Sequence, residues 1–131
     1  MFFLGKKSRP DGASTSKARG QMAEDKALGY LQAQGLQLIA RNYRTPGRGG
    51  GEIDLILQER DGTVVFVEVR SRSHDSFDGA GASIGSAKRQ RIVFAAEHWL
   101  HCTGYSAACR FDVVLLDGPH LQWLRAAFDA V

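Results

Sequence analysis

Residues 51–72, G-E-I-D-L-I-L-Q-E-R-D-G-T-V-V-F-V-E-V-R-S-R, decide how this chain folds. Two apolar runs flank Asp61-Gly62, the strongest short-range signal for an antiparallel hairpin. Glu52 and Asp54 interrupt the first run, and Glu68 and Arg70 interrupt the second. Runs this apolar belong to strands covered by other elements. A carboxylate placed there is costly unless something compensates its charge. The hairpin therefore carries both the fold and the first candidates for function.

Two registers fit the turn. A two-residue Asp-Gly loop places Arg60 opposite Thr63. A three-residue loop, Arg60-Asp61-Gly62 with Gly62 left-handed, places Glu59 opposite Thr63. The second sets Ile56 against Phe66, Asp54 against Glu68 and Glu52 against Arg70, on one face of the sheet. We favour it because it gathers two acids and a cation.

Working outward, Thr15 or Ser16 can cap a first helix that runs to about Gln34 and stops at Gly35. Its apolar stripe is Ala27, Leu28 and Leu31, with Ala23 and Tyr30 beside it. Glu24 falls within that stripe, where a carboxylate is unusual; the competing reading is a helix-start Glu facing the N-terminal dipole. Leu36 to Tyr43 reads as a first strand. Thr45 to Gly51 is a mobile connection whose four glycines permit close backbone approach to a ligand, and it lacks the pattern of a nucleotide-binding loop. After the hairpin come a polar, Gly-rich loop over 71–83 and a second helix over 86–101 with Ile92, Val93, Ala96, Trp99 and Leu100 inward. Lys88 and Arg89 lie in the first turns of that helix, where cations oppose the dipole. Contact with phosphate would account for them. Ala108 to Leu116 is a fourth strand, His120 to Leu124 a short edge strand, and Arg125 to Ala130 a tail. Asp112, in the fourth strand, reads as structural and paired with an arginine.

Composition narrows the function classes. A chain of 131 residues, 44% hydrophobic and 24% charged, is a single globular domain in size and balance. Residues 1–15 lack periodicity and read as a disordered basic tail, leaving 16–131 as one domain. The net charge of +3 understates the local clusters: Arg41, Arg44 and Arg48 lie together, as do Lys88 and Arg89, and with Arg72 they form a candidate rim for a polyanion. Nothing approaches the ~20 apolar residues of a membrane helix. Cys102 and Cys109 lack zinc-ligand spacing and a disulfide framework, so the expected compartment is a reducing cytoplasm.

Two carboxylates on adjacent strands repel, and a divalent cation resolves the repulsion. Mg²⁺ takes hard oxygen ligands and is commonly held by one or two carboxylates. Asp54 and Glu68 supply such ligands. Glu24 adds a third if its helix packs over them, and the carbonyl of residue 69 is a further candidate. Arg70, on the same face as Glu68, is placed to stabilise charge on a phosphate during metal-assisted hydrolysis of a phosphodiester. The competing reading is a structural salt-bridge cluster, with Glu52 on Arg70 and the other acids on other arginines.

The motifs G-Q-M-A-E at Gly20 to Glu24, R-N-Y-R at Arg41 to Arg44, G-E-I-D-L-I at Gly51 to Ile56, V-F-V-E-V-R-S-R at Val65 to Arg72 and R-F-D-V-V at Arg110 to Val114 span most of the chain. Together they resemble the YraN-like family of small bacterial proteins, described as predicted endonucleases. The spacing Asp54 … Glu68-Val69-Arg70 is similar to the D-(x)n-E-x-K signature of restriction-endonuclease-like nucleases. The resemblance implies an α/β restriction-endonuclease-like core like that of Holliday junction resolvases, with a mixed sheet of four to five strands flanked by helices in the order α-β-β-β-α-β. It implies Mg²⁺ or Mn²⁺ on Glu24, Asp54 and Glu68, catalysis by Asp54, Glu68 and Arg70, and DNA, branched or structured, as substrate. It also suggests a homodimer, for which the apolar edge near Trp123 is a candidate surface. Arg70 stands where the signature has lysine, and a guanidinium does not serve as a base. A nucleic-acid-binding protein of the same fold without cleavage is the alternative function.

Overall fold

The computed structural model describes residues 16–71 and 84–130. The basic tail over 1–15, most of the Gly-rich loop over 71–83, Arg72 with it, and Val131 lie outside the described residues.

Helix α1 spans Ser16–Ala33 and is followed by strands β1 (Gln37–Arg44), β2 (Glu52–Gln58) and β3 (Val64–Ser71). Helix α2 (Ser86–Thr103) leads to β4 (Cys109–Asp117) and β5 (His120–Phe128). The five strands form one sheet in the order β1-β2-β3-β4-β5. All neighbours are antiparallel except β3 and β4, which are parallel because α2 carries the chain back between them. The expected α/β architecture is present, with the fifth strand included.

Local chemistry sets the boundaries. Gly35 adopts φ 102°, its N–H donates to the Gln32 carbonyl at 3.0 Å, and the Leu36 N–H donates to the Leu31 carbonyl at 3.1 Å. This paired closure ends α1 and folds Leu36 back onto Leu31 in one apolar cluster. Gly104, φ 75°, ends α2 with its N–H on the Leu100 carbonyl. At the β2–β3 turn the three-residue loop forms. Gly62 is left-handed at φ 98°, its N–H donates to the Glu59 carbonyl, and the Glu59 N–H donates to the Thr63 carbonyl, both at 2.9 Å. Ile56 accordingly faces Phe66 and Gln58 faces Val64.

The sheet separates two apolar layers. On one side Ala23, Ala27 and Leu31 of α1 pack on Leu55, Leu57, Val65, Val67, Val114 and Leu116. On the other, Ile92, Ala95, Ala96 and Trp99 of α2 pack on Ile53, Ile56, Val64, Phe66, Phe111 and Val113. Phe66 is the centre of the second layer, stacked on Phe111 at 5.4 Å and edge-on to Trp99 at 5.9 Å. With both faces covered, the near-continuous apolar character of β2 and β3 is explained.

Two expectations change. First, β5 does not stop at Leu124 but continues to Phe128, so there is no tail from Arg125. The strand is held by a device that alternation does not reveal. Asp112, fully buried, accepts hydrogen bonds from Arg110 Nε at 2.8 Å, Trp123 Nε1 at 2.9 Å and the Ala126 N–H at 2.9 Å. Ala126 has φ 52°, and the register between β4 and β5 shifts between Phe111 and Val113. Asp112 thus pins a bulge and lets Phe128 stack on Phe111 at 5.0 Å. Its pairing with an arginine is as expected. Trp123, expected at an apolar edge, lies edge-on to Tyr30 at 6.1 Å and carries the Arg125 guanidinium 4.1 Å over its ring.

Second, the tight positions in 47–51, Gly50 and Gly51, approach the chain itself, while Gly47 and Gly49 face open space. The loop is closed by Thr45, whose N–H donates to the Gly51 carbonyl at 3.1 Å and whose Oγ1 accepts the Gly51 N–H at 2.8 Å. A Cβ on Gly51 would run into the Arg91 carbonyl oxygen. The close approach that requires glycine is therefore between the start of β2 and the backbone of α2.

Candidate active site

Asp54 sits where β2 changes sides. Ile53 packs in the α2 layer, whereas Leu55 packs in the α1 layer. The neighbouring strand twists with it. Asn42, at φ 55°, lies between the Arg41–Leu55 and Tyr43–Ile53 partners, hence across from Asp54. Arg41 reaches α1 through Glu24 and Asp25, while Tyr43 hydrogen-bonds His98 of α2. Asp54 is half-buried at this turnover.

The β2–β3 ladder runs from Gln58–Val64 to Leu55–Val67. At its end Asp54 Oδ2 accepts the Val69 N–H at 2.8 Å. A side chain here takes a backbone donor and turns the carboxyl toward β3. Glu68 is 8% exposed, and the two carboxyls share a hydrogen bond. Burial, followed by the charge of Glu68, pushes the Asp54 pKa up to about 7; the Val69 N–H and Lys88 pull the other way. Burial also raises Glu68, opposed by Lys88, by the hydrogen bond with Asp54 and by Arg70. The physical picture is of two neighbouring acids whose proton affinities are both raised by burial, with Lys88 and Arg70 favouring the charge on Glu68.

Glu24 comes toward this pair from α1. Its side chain is 13% exposed and its Oε1 lies 3.5 Å from Arg41 Nε. Its pKa is raised by burial first and then by the charge of Asp54, while Asn42 and Arg41 lower it. The helix-face reading of Glu24 is thus the structural one, and Asp54 feels it. The three carboxyls are not gathered into one cage: among the described residues no group of three or more His, Cys, Asp or Glu stands ready to hold a metal ion. The donors in contact are Asp54 and Glu68.

The basic residues divide. Arg41 is held by the salt bridge to Asp25 at 2.6 Å as well as by Glu24. Arg44 lies 3.6 Å from Glu52 across β1–β2. Arg48 is exposed in the Gly-rich loop, and Arg89 is exposed on α2, lining a cavity of about 510 Å³ with Gln90, Phe94 and Asp129. Arg72 lies outside the described residues. Arg70, half-buried on β3, lowers the Glu68 pKa as its placement beside that acid requires. Lys88 is the residue whose surroundings sequence reasoning missed. From the first turn of α2 its Nζ lies 3.5 Å from Glu68 Oε2. The available signal was a cation at a helix start, unfavourable for the helix itself and so answerable to some other partner.

Among the described residues no helix is long and apolar enough to cross a membrane. A family model described as "Uncharacterised protein family UPF0102" matches residues 23–116, from within α1 to the penultimate residue of β4. The chain is 64% identical to a UPF0102 protein of Paracidovorax citrulli, over 99% of both chains. It is 63% identical to one of an Acidovorax species, again over 99% of both. With a UPF0102 protein of Verminephrobacter eiseniae the identity is 60%, over 99% of this chain and 97% of the other.

Proposed function

The chain belongs to the uncharacterised protein family UPF0102, and from that premise we propose that it is a metal-dependent endonuclease of the restriction-endonuclease-like superfamily, hydrolysing phosphodiester bonds in DNA. The observation that carries this reading is the pairing of half-buried Asp54 with buried Glu68 at the end of the β2–β3 ladder, where Asp54 takes the Val69 N–H and burial together with the charge of Glu68 pushes its pKa up to about 7. A structural salt bridge would match each acid with a base. Glu68 does meet Lys88, but Asp54 is set against a second acid and the Val69 N–H, an arrangement that marks functional sites more often than structural ones.

The donor set fits a hard divalent cation such as Mg²⁺ or Mn²⁺: two hydrogen-bonded carboxyls, one of which gives up a proton near neutral pH. Asp54 and Glu68 would hold it, with Glu24 as the acid next nearest in electrostatic terms. When bound, such an ion polarises a phosphoryl oxygen and lowers the pKa of a ligated water. The chain's own residues do the rest. The Val69 N–H fixes one oxygen of Asp54 and so sets the direction of the other. Arg70 offsets the negative charge of Glu68. Arg48, exposed at the rim, supplies a cation for the nucleic-acid backbone.

The test is to incubate purified protein with branched, single-stranded and linear duplex DNA in Mg²⁺ or Mn²⁺, beside Asp54→Asn and Glu68→Gln. Cleavage that both substitutions abolish is the expected result. Binding without cleavage on any substrate would replace the enzyme with a nucleic-acid-binding protein of the same fold. Absence of both would return the acid pair to a structural role.

A further inference from the structure

The acid pair is flanked by two cations from different elements, and they differ in kind. Arg70 extends from β3, the strand that carries Glu68. Lys88 comes from α2, 20 positions further on, and closes over Glu68 at 3.5 Å from the α2 side of the sheet. Its charge reaches Asp54 as well as Glu68, since it opposes the rise of both pKa values. Its side chain is 42% exposed, against 10% for that of Glu68. Lys88 thus links the buried Glu68 carboxylate to solvent on the α2 side. An ammonium has three donors, and Glu68 occupies one side of it. A compact charge with further donors facing outward can hold a carboxylate and an incoming anion together, whereas a planar guanidinium presents its donors in a rigid fork.

We propose that Lys88 is the catalytic cation of this site, meeting the non-bridging oxygens of the phosphate that enters beside Asp54 and Glu68. The proposal rests on the nuclease reading above and adds to Arg70 a second cation, carried by α2. During hydrolysis the water oxygen forms its bond to phosphorus as the bond from phosphorus to the leaving oxygen breaks. One water proton passes to solvent, and the leaving oxygen takes one from solvent. Lys88 stabilises the charge gathering on the phosphoryl oxygens and takes no part in the proton transfers. Without it, Arg70 alone would offset the negative field that a phosphate meets at the two acids.

The experiment compares wild type, Lys88→Met, Lys88→Arg and Arg70→Gln in the full chain, with folding checked by thermal melts. Three readouts are used: single-turnover DNA cleavage in Mn²⁺, DNA binding in Ca²⁺, and Mn²⁺ affinity by calorimetry at pH 8 without DNA. Lys88→Met should lower single-turnover cleavage by about 100-fold or more, the loss typical of removing one preorganised donor. Lys88→Arg should restore DNA binding but leave cleavage at least about tenfold down, because the fork does not fit where the ammonium sits. Lys88→Met should also tighten Mn²⁺ binding about threefold to tenfold, since a positive charge beside Glu68 is gone. Full cleavage by Lys88→Met, full rescue by Lys88→Arg, or a larger loss from Arg70→Gln than from Lys88→Met would each overturn the assignment. A wild-type protein that cuts nothing refutes the nuclease reading, and the metal affinity then judges Lys88 alone: unchanged affinity in Lys88→Met removes it from the site.

Discussion

Replacing Asp54 with asparagine should make the protein more stable at alkaline pH while abolishing its proposed activity. Asp54 titrates near 3.8 when unconstrained and near 7 in the fold. The folded chain therefore holds this proton more tightly than the unfolded chain does. The resulting advantage is complete below 3.8 and is lost as pH rises through about 7, so stability falls across that window. At about 1.4 kcal/mol for each pH unit separating the two values, the full loss approaches ~4 kcal/mol. Asp54 retains some contact with water, so about 2–4 kcal/mol is the working range. That is a large share of the roughly 5–15 kcal/mol that holds a domain folded. Asparagine imitates the protonated acid: its oxygen can accept the Val69 N–H and its amide can donate to Glu68. The groups facing position 54 are unchanged, namely Glu68 from β3, Lys88 from α2 and Glu24 from α1. Urea denaturation in EDTA at pH 5 and pH 8.5 measures the effect. Wild type should lose stability between these values, and Asp54→Asn should keep most of it, with Glu68 leaving a smaller residual slope. Parallel curves for the two proteins would refute the argument, because the proton held more tightly in the fold would then not lie on Asp54. A divalent cation at about 100 times its Kd should restore about 2.7 kcal/mol to wild type at pH 8.5 and little to the variant.

Three further outcomes follow from other parts of the fold. Asp112→Asn leaves Arg110 without its buried carboxylate partner and should cost about 3–5 kcal/mol by chemical denaturation; a loss below about 1 kcal/mol would mean that the β5 bulge is held by other contacts. Gly51→Ala forces a Cβ against the Arg91 carbonyl and should destabilise by about 1–3 kcal/mol. It should also reduce cleavage beyond that loss, by lifting the start of α2, which carries Lys88, and equal melting temperatures for variant and wild type would contradict the packing argument. Arg48→Ala should lower the slope of log K against log salt for DNA binding by about one phosphate contact, whereas Arg41→Ala should change it less, because Glu24 and Asp25 already hold that guanidinium. Equal slopes for the two variants would show that the ion pairs of Arg41 open on binding.

Much of this molecule follows from short stretches of sequence. The hairpin and the helix stops at Gly35 and Gly104 are set by rules acting within a few residues: side-chain period, turn chemistry and the demand for φ > 0; the choice between the two turn registers, and with it the meeting of Asp54 and Glu68, came only with the fold. The inward Glu24 followed from helical phase alone. What the tertiary structure decided is which charges meet. Lys88 and Glu68 stand 20 positions apart, on a helix and a strand whose crossing is set by Phe66 packing on Trp99. Arg41 looked like part of a free basic rim until α1, lying over β1, supplied Glu24 and Asp25. Gly51 is needed because α2 brings the Arg91 carbonyl against it, and β5 runs past Leu124 because Asp112 holds Ala126. Local pattern settles the backbone because each residue's conformation answers to its neighbours in the chain. Electrostatic partnership answers to distances between elements, and those exist only once the two apolar layers have closed on the sheet.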